Sequence, residues 1–170
     1  MNFKTLSLIS AVALALPTLG MADPDDDTLV VNEEIEMVTK TAPAPHVADA
    51  LDEVMSGWHF RTDETQSMQM DDFDNPGMIF VDQAMDSWNT VEGEAGESCA
   101  SCHGDVAEFE GLSTKMPKVD EDGKLVVMED LINECRTERM QANEWKWSGG
   151  TMQAMVALIN HQSLGMPMDV

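Results

Sequence analysis

The sequence predicts a mainly α domain preceded by an irregular N-terminal extension, and three observations carry that expectation. Apolar side chains recur at i, i+3, i+4 and i+7 in two segments, Val81, Ala84, Met85, Trp88 and Met128, Leu131, Ile132, Cys135. That spacing is the signature of one buried helical face. A third segment opens after Gly149-Gly150, places Met152, Met155, Val156 and Ile159 on one side, and stops at Gly165 and Pro167. Ahead of these, residues 23 to 77 are acidic or mixed in pattern and are punctuated by turn residues. The chain has 170 residues and is 43% hydrophobic, enough for one core in one domain.

From the start of the chain, Lys4 forms a positive flank and Leu6 to Leu19 a short apolar run containing Pro17. Gly20-Met21-Ala22 offers small residues where a signal peptidase reads. Residues 1–22 therefore have the pattern of a secretory signal, and the run is too short for a comfortable membrane span. The expectation is export to the periplasm, with no span in the mature form. Residues 23–45 come next as an acidic leader ending in Thr41-Ala42-Pro43-Ala44-Pro45, expected to be a mobile linker. Residues 46–77 carry Trp58, Phe60 and Phe73 as anchors and close on Asn75-Pro76-Gly77, so they are expected to pack on the main domain. Residues 78–170 are that domain. Its first helix ends before Gly93 to Gly96, and residues 104 to 127 lack sustained periodicity and contain the turn Asp120-Glu121-Asp122-Gly123. The second helix is expected over roughly residues 128 to 142 and the third over about 151 to 163.

Nine basic and 32 acidic side chains give a formal charge of −23. Such a chain repels phosphate backbones, which excludes nucleic acid as a partner. A surface partner would carry a basic patch; the alternative is that the charge serves solubility.

Three cysteines in an exported chain cannot all pair within it. Cys99-Ala100-Ser101-Cys102-His103 is the Cys-x-x-Cys-His signature of c-type haem attachment. Thiols three positions apart reach the two vinyl groups on one porphyrin edge, and the next imidazole meets the iron as a neutral nitrogen ligand. A thioredoxin-like dithiol belongs in a βαβ unit, of which the sequence shows no trace. A zinc site would need a second ligand pair, whereas Cys135, His46, His59 and His161 are scattered. One covalent haem c is therefore expected, and a helix before the motif and a helix at the end suit a cytochrome c-like haem domain.

Cys135 is then the odd thiol. It is placed on the buried stripe of the second helix between cationic neighbours Arg136 and Arg139, and cations favour a thiolate. It is either a sulfur ligand to the iron, an inert buried residue, or a bridge to another chain or metal. Among the 15 methionines, Met140, Met155 and Met166 lie after the motif and could supply a thioether instead. His161 reads as a polar helix residue.

Several segments in order resemble the SoxA family of cytochromes. Glu64-Thr65-Gln66-Ser67-Met68-Gln69-Met70-Asp71-Asp72-Phe73, continued by Asn75-Pro76-Gly77-Met78, is similar to the stretch before that family's first haem. Gly96-Glu97-Ser98-Cys99 to Gly104 resembles its first haem motif. Pro117-Lys118-Val119-Asp120 and Asn133-Glu134-Cys135-Arg136-Thr137-Glu138-Arg139-Met140 are similar to the family's segments after that motif. Gln162-Ser163-Leu164-Gly165-Met166-Pro167-Met168 matches the end of the same domain. The resemblance implies a periplasmic subunit of a SoxAX thiosulfate-oxidising complex, a SoxX-like cytochrome partner and a SoxYZ-like carrier. It also implies His103 and Cys135 as the axial pair on the iron, with Cys99 and Cys102 as the covalent attachments. Members of the family continue into a second haem domain with the cysteine of the sulfur chemistry. No residue of this sequence matches that cysteine, so no catalytic residue is expected in it. The alternative expectation is a stand-alone monohaem electron carrier.

Overall fold

The computed structural model describes residues 28–169, so the expected signal segment and the start of the expected leader lie outside the described residues. The architecture is mainly α and cytochrome c-like, with three two-stranded antiparallel sheets among the described residues. Two helices form its centre: α2 (Met78–Asn89) and α5 (Gly150–His161) pack directly against each other. Between them in sequence come the short α3 (Cys99–His103) and α4 (Met128–Glu134), and α4 runs on into a π-helical turn at Cys135–Arg139.

The core arises from the apolar spacing. Ala84 and Trp88 of α2 meet Ala154, Met155, Leu158 and Ile159 of α5, closed by Val106, Met116, Val126 and Met128. Each Leu, Ile or Met side chain buried there contributes about 1.5–3 kcal/mol. Met85, expected on the same stripe, is exposed. Within the aperiodic stretch, Lys118–Val119 and Leu125–Val126 pair as a hairpin over a turn whose Asp120 carboxylate accepts from the N–H groups of Asp122 and Lys124.

The N-terminal part differs from the sequence reading. Residues expected to be a mobile linker form structure from Leu29 onward: β1 (Leu29–Val31) pairs with β2 (Ile35–Met37), and β3 (Lys40–Thr41) with β4 (Val54–Met55). The physical reason is a short period-two pattern that sends Leu29 and Val31 inward. Both join Trp58 and Met70, the latter on α1 (Asp63–Met70), in a second small core. Of the three aromatic anchors only Trp58 is buried; Phe60 and Phe73 are 72% and 94% exposed.

This small core is attached to the haem-motif domain through the end of α5. Leu164 packs on it, and Gly165 (φ +78°) turns the chain so closely over Ile35 that a Cβ there would collide with that side chain. His161 lies 3.6 Å from the Asp72 carboxylate, which itself accepts a hydrogen bond from Asn32.

Candidate functional site

The attachment motif is a helix held at its first turn. Ser98 and Ser101 cap each other, Ser101 N–H donating to Ser98 Oγ at 3.0 Å and Ser98 N–H to Ser101 Oγ at 2.9 Å. This reciprocal box satisfies two of the N–H groups a helix start leaves free. Gly104, at φ +72°, ends the helix immediately after His103. Cys102 and His103 are exposed on this helix and Cys99 is half-buried.

Aromatic packing fixes His103 from behind. Phe109 stands edge-on to the imidazole at 5.1 Å and to Trp88 at 5.4 Å, and Trp88 lies 6.1 Å from the imidazole at a 38° tilt. Trp88 Nε1 donates to the Gly104 carbonyl at 3.0 Å, tying α2 to the residue just after the imidazole. Trp88 is legible in the sequence as a core position, but its partnership with His103 is not. Phe109 gives no periodic signal because it sits in a single 3-10 turn at Val106–Phe109.

Cys135 comes from the other side. The expected helix over residues 128 to 142 is α only to Glu134; from Cys135 it widens, with Met140 N–H donating to the Cys135 carbonyl at 3.1 Å. Such π turns arise where a helix carries one residue too many for its register, often at functional sites. Thr137 Oγ1 donates to the Asn133 carbonyl at 2.9 Å, and Asn133 makes a two-point pair with the Trp145 backbone. The turn puts Cys135 Sγ 3.7 Å from His103 Nε2.

The four residues singled out from sequence are thus gathered at one place. The alternative sulfur and nitrogen donors lie elsewhere: Met140 and Met155 are buried, Met155 in the main core, Met166 is exposed, and His161 faces Asp72. Among the described residues, no three or more His, Cys, Asp and Glu, these four included, are arranged so that their side chains by themselves could hold a metal ion, and no disulfide forms.

Electrostatics at the site run against the simplest sequence argument. Burial pushes the Cys135 thiol above its ordinary range, the Cys102 sulfur adds to this, and Arg139 opposes it. Arg136, expected to favour the thiolate, instead turns away and is paired with Glu92 at 2.6 Å. Cys99 is likewise pushed up, chiefly by burial and then by Cys135, with Arg136 opposing. Neither thiol is activated by its surroundings as a free nucleophile; a metal ion, which displaces the proton, would be needed to make Cys135 a thiolate.

The donor set fits a haem iron. A neutral imidazole nitrogen and a sulfur facing each other are the donor types that would hold such an iron. The two donors lie 3.7 Å apart, next to Cys99 and Cys102. Two cysteines and one imidazole on a single helix, with a third sulfur facing the imidazole, are residues that could hold a haem.

Comparison with known proteins agrees with this chemistry. The family described as SoxA/TsdA, cytochrome c domain, matches residues 83–168. The chain is 47% identical over 173 residues to the L-cysteine S-thiosulfotransferase subunit SoxA of Paracoccus pantotrophus, an alignment covering 98% of this chain and 60% of that protein. It is 51% identical over 147 residues to the subunit of the same name from Rhodovulum sulfidophilum, covering 85% and 51%. The crystal structure of SoxXA from P. pantotrophus superposes with a TM-score of 0.80 at 49% identity, covering 87% of this chain and 58% of that one. The chain therefore spans between half and three fifths of the length of these relatives. A cytochrome c domain implies a haem cofactor.

Proposed function

The chain belongs to the SoxA/TsdA cytochrome c domain family, and on that premise we propose that it is the SoxA-like cytochrome subunit of a periplasmic thiosulfate-oxidising transferase. In this reading it pairs with a SoxX-like cytochrome and serves a SoxYZ-like carrier. The names of its relatives and the SoxXA structure support the subunit role. The signal pattern of residues 1–22 and the Cys-x-x-Cys-His motif support the periplasm.

The observation that carries the reading is the opposition of Cys135 Sγ and His103 Nε2 beside the attachment cysteines. A single haem, bound through Cys99 and Cys102, would supply a one-electron couple. His103 would be held as the proximal ligand by Trp88 and Phe109. Cys135 would give up its proton and donate as a thiolate, which lowers the potential relative to a thioether ligand. All three cysteines then have a place on the haem, and none of them is left to carry substrate sulfur. The work of this domain is to hold and tune a redox centre.

A stand-alone electron carrier is the second reading, favoured by that full use of the cysteines and by the charge of −23. The test is to mix the native protein with a SoxX-like cytochrome and a SoxYZ-like carrier, and to measure complex mass and carrier-dependent thiosulfate oxidation. A stable one-to-one complex with the SoxX-like cytochrome is expected, with turnover only where a cysteine other than these three carries the substrate sulfur. No complex, together with fast and salt-sensitive reduction by a basic redox protein, would replace the subunit reading with the carrier one.

A further inference from the structure

Beside the haem motif lies a charged side chain whose burial the proposed function does not use. Arg136 is 5% exposed, and its side chain reaches out of its own turn to Glu92, Asn143 and Trp145. Its Nη1 pairs with Glu92 Oε2 at 2.6 Å, its Nε donates to the Asn143 carbonyl at 3.0 Å, and its Cζ stands 3.9 Å over the Trp145 ring. Burying a guanidinium costs several kcal/mol unless it is paired, so such a group stays only where its partners hold it.

Those partners connect two particular stretches of chain. Arg136 adjoins Cys135 in the π turn, and its own carbonyl accepts from Ala142 N–H at 2.9 Å. Glu92 opens the turn that closes on Glu97, one residue before the Ser98 cap of the attachment helix. The same two stretches are zipped along their backbones: Glu94 N–H donates to the Gln141 carbonyl and Ala95 N–H to the Met140 carbonyl, both at 3.2 Å. Gly93, at φ +71°, permits this approach, because a Cβ there would collide with the Met140 carbonyl oxygen.

We infer that Arg136 and Glu92 are positioning residues for the axial sulfur: they clamp the turn bearing Cys135 onto the turn leading into Cys99, and so fix Cys135 opposite His103. This inference rests on the reading of Cys135 as an iron ligand. The clamp acts on the opening of the sixth position. With it closed, the sulfur stays within reach of the iron; with it broken, the π turn is free to swing away and admit another ligand.

The experiment uses the ferric holo-protein and measures cyanide affinity, the low-spin ferric spectrum and the thermal midpoint for Glu92→Ala, Arg136→Met and Cys135→Ser. A hydrogen-bonded pair involving a charged group is worth enough to shift the open population roughly tenfold when removed, so cyanide should bind the Glu92→Ala protein roughly tenfold more tightly, with a weakened thiolate signature. Glu92 is a 38% exposed side chain, so its variant keeps the test standing where Arg136→Met fails to fold. Wild-type cyanide affinity and spectrum in Glu92→Ala, with only the thermal midpoint lowered, would reduce the clamp to a structural contact and overturn the inference. Cys135→Ser separates the two claims. If it keeps the wild-type spectrum, the ligand reading falls; if it loses that spectrum while Glu92→Ala binds cyanide as wild type, only the clamp falls.

Discussion

Replacing Trp88 by Phe removes one hydrogen bond and part of the wall behind His103. Trp88 is 3% exposed, and its Nε1 donates to the Gly104 carbonyl at 3.0 Å. That bond is worth about 1 kcal/mol net, and because Gly104 is exposed its carbonyl regains water and carries no further penalty. The fused ring leaves a gap against Phe109 and the core, costing roughly 2 kcal/mol at about 0.8 kcal/mol per buried methylene plus the unfilled volume. The sum is about 3 kcal/mol. For a chain of this size each kcal/mol moves the midpoint by about 2–4 °C, so a drop of roughly 6–12 °C is expected. Thermal unfolding of the ferric holo-protein, monitored by far-ultraviolet circular dichroism and by Soret absorbance, measures it. The two traces should move together, since the lost bond lies next to the His103 imidazole, the proposed iron ligand. A shift below about 0.5 kcal/mol, the range of an unimportant surface change, would refute the role given to Trp88.

Other perturbations give results of different size. Met155→Ala empties a position 1% exposed in the main core and should cost about 2–5 kcal/mol in urea unfolding, with an unchanged dependence on denaturant. Phe60→Ser and Phe73→Ser, at side chains left 72% and 94% exposed, should each change stability by no more than about 0.5 kcal/mol in the same assay. If Cys135 ligates the iron as proposed, acidification should loosen it. Burial holds the free Cys135 thiol above its ordinary range, so sulfur leaving the iron takes up a proton at every pH below that raised value, whereas bound sulfur carries none. Ligation therefore strengthens as pH rises and weakens as it falls, by about tenfold per unit, until the released sulfur no longer takes up a proton. A spectrophotometric titration of the ferric protein measures this, and a ligation equilibrium flat with pH would contradict it.

Local patterns make much of this molecule legible, and long-range pairing hides the rest. The stripe through Ala84 and Trp88 and the run through Met152, Met155 and Ile159 announce α2 and α5 because each buries one face at helical spacing. The motif from Cys99 to His103 is legible without a structure, since it is written in five consecutive residues. The π turn is invisible, because the spacing from Met128 to Cys135 reads the same whether the helix continues or widens after it. Arg136 misleads for a related reason. Next to Cys135 in sequence it looks like a cation for the thiolate, yet its charge is taken by Glu92, far away along the chain. The hairpin at Leu29–Met37 is hidden by its acidic turn, which makes two inward apolar residues look like part of a solvated leader.

In the proposed reading His103 and Cys135 share one iron in a covalently bound haem. The most direct measurement is low-temperature electron paramagnetic resonance of the ferric holo-protein as isolated, beside its Cys135→Met variant. A single low-spin thiolate-ligated species is expected, replaced in the variant by a histidine–methionine or high-spin signal. An identical spectrum from the two proteins would contradict the claim and return the sixth position to another residue.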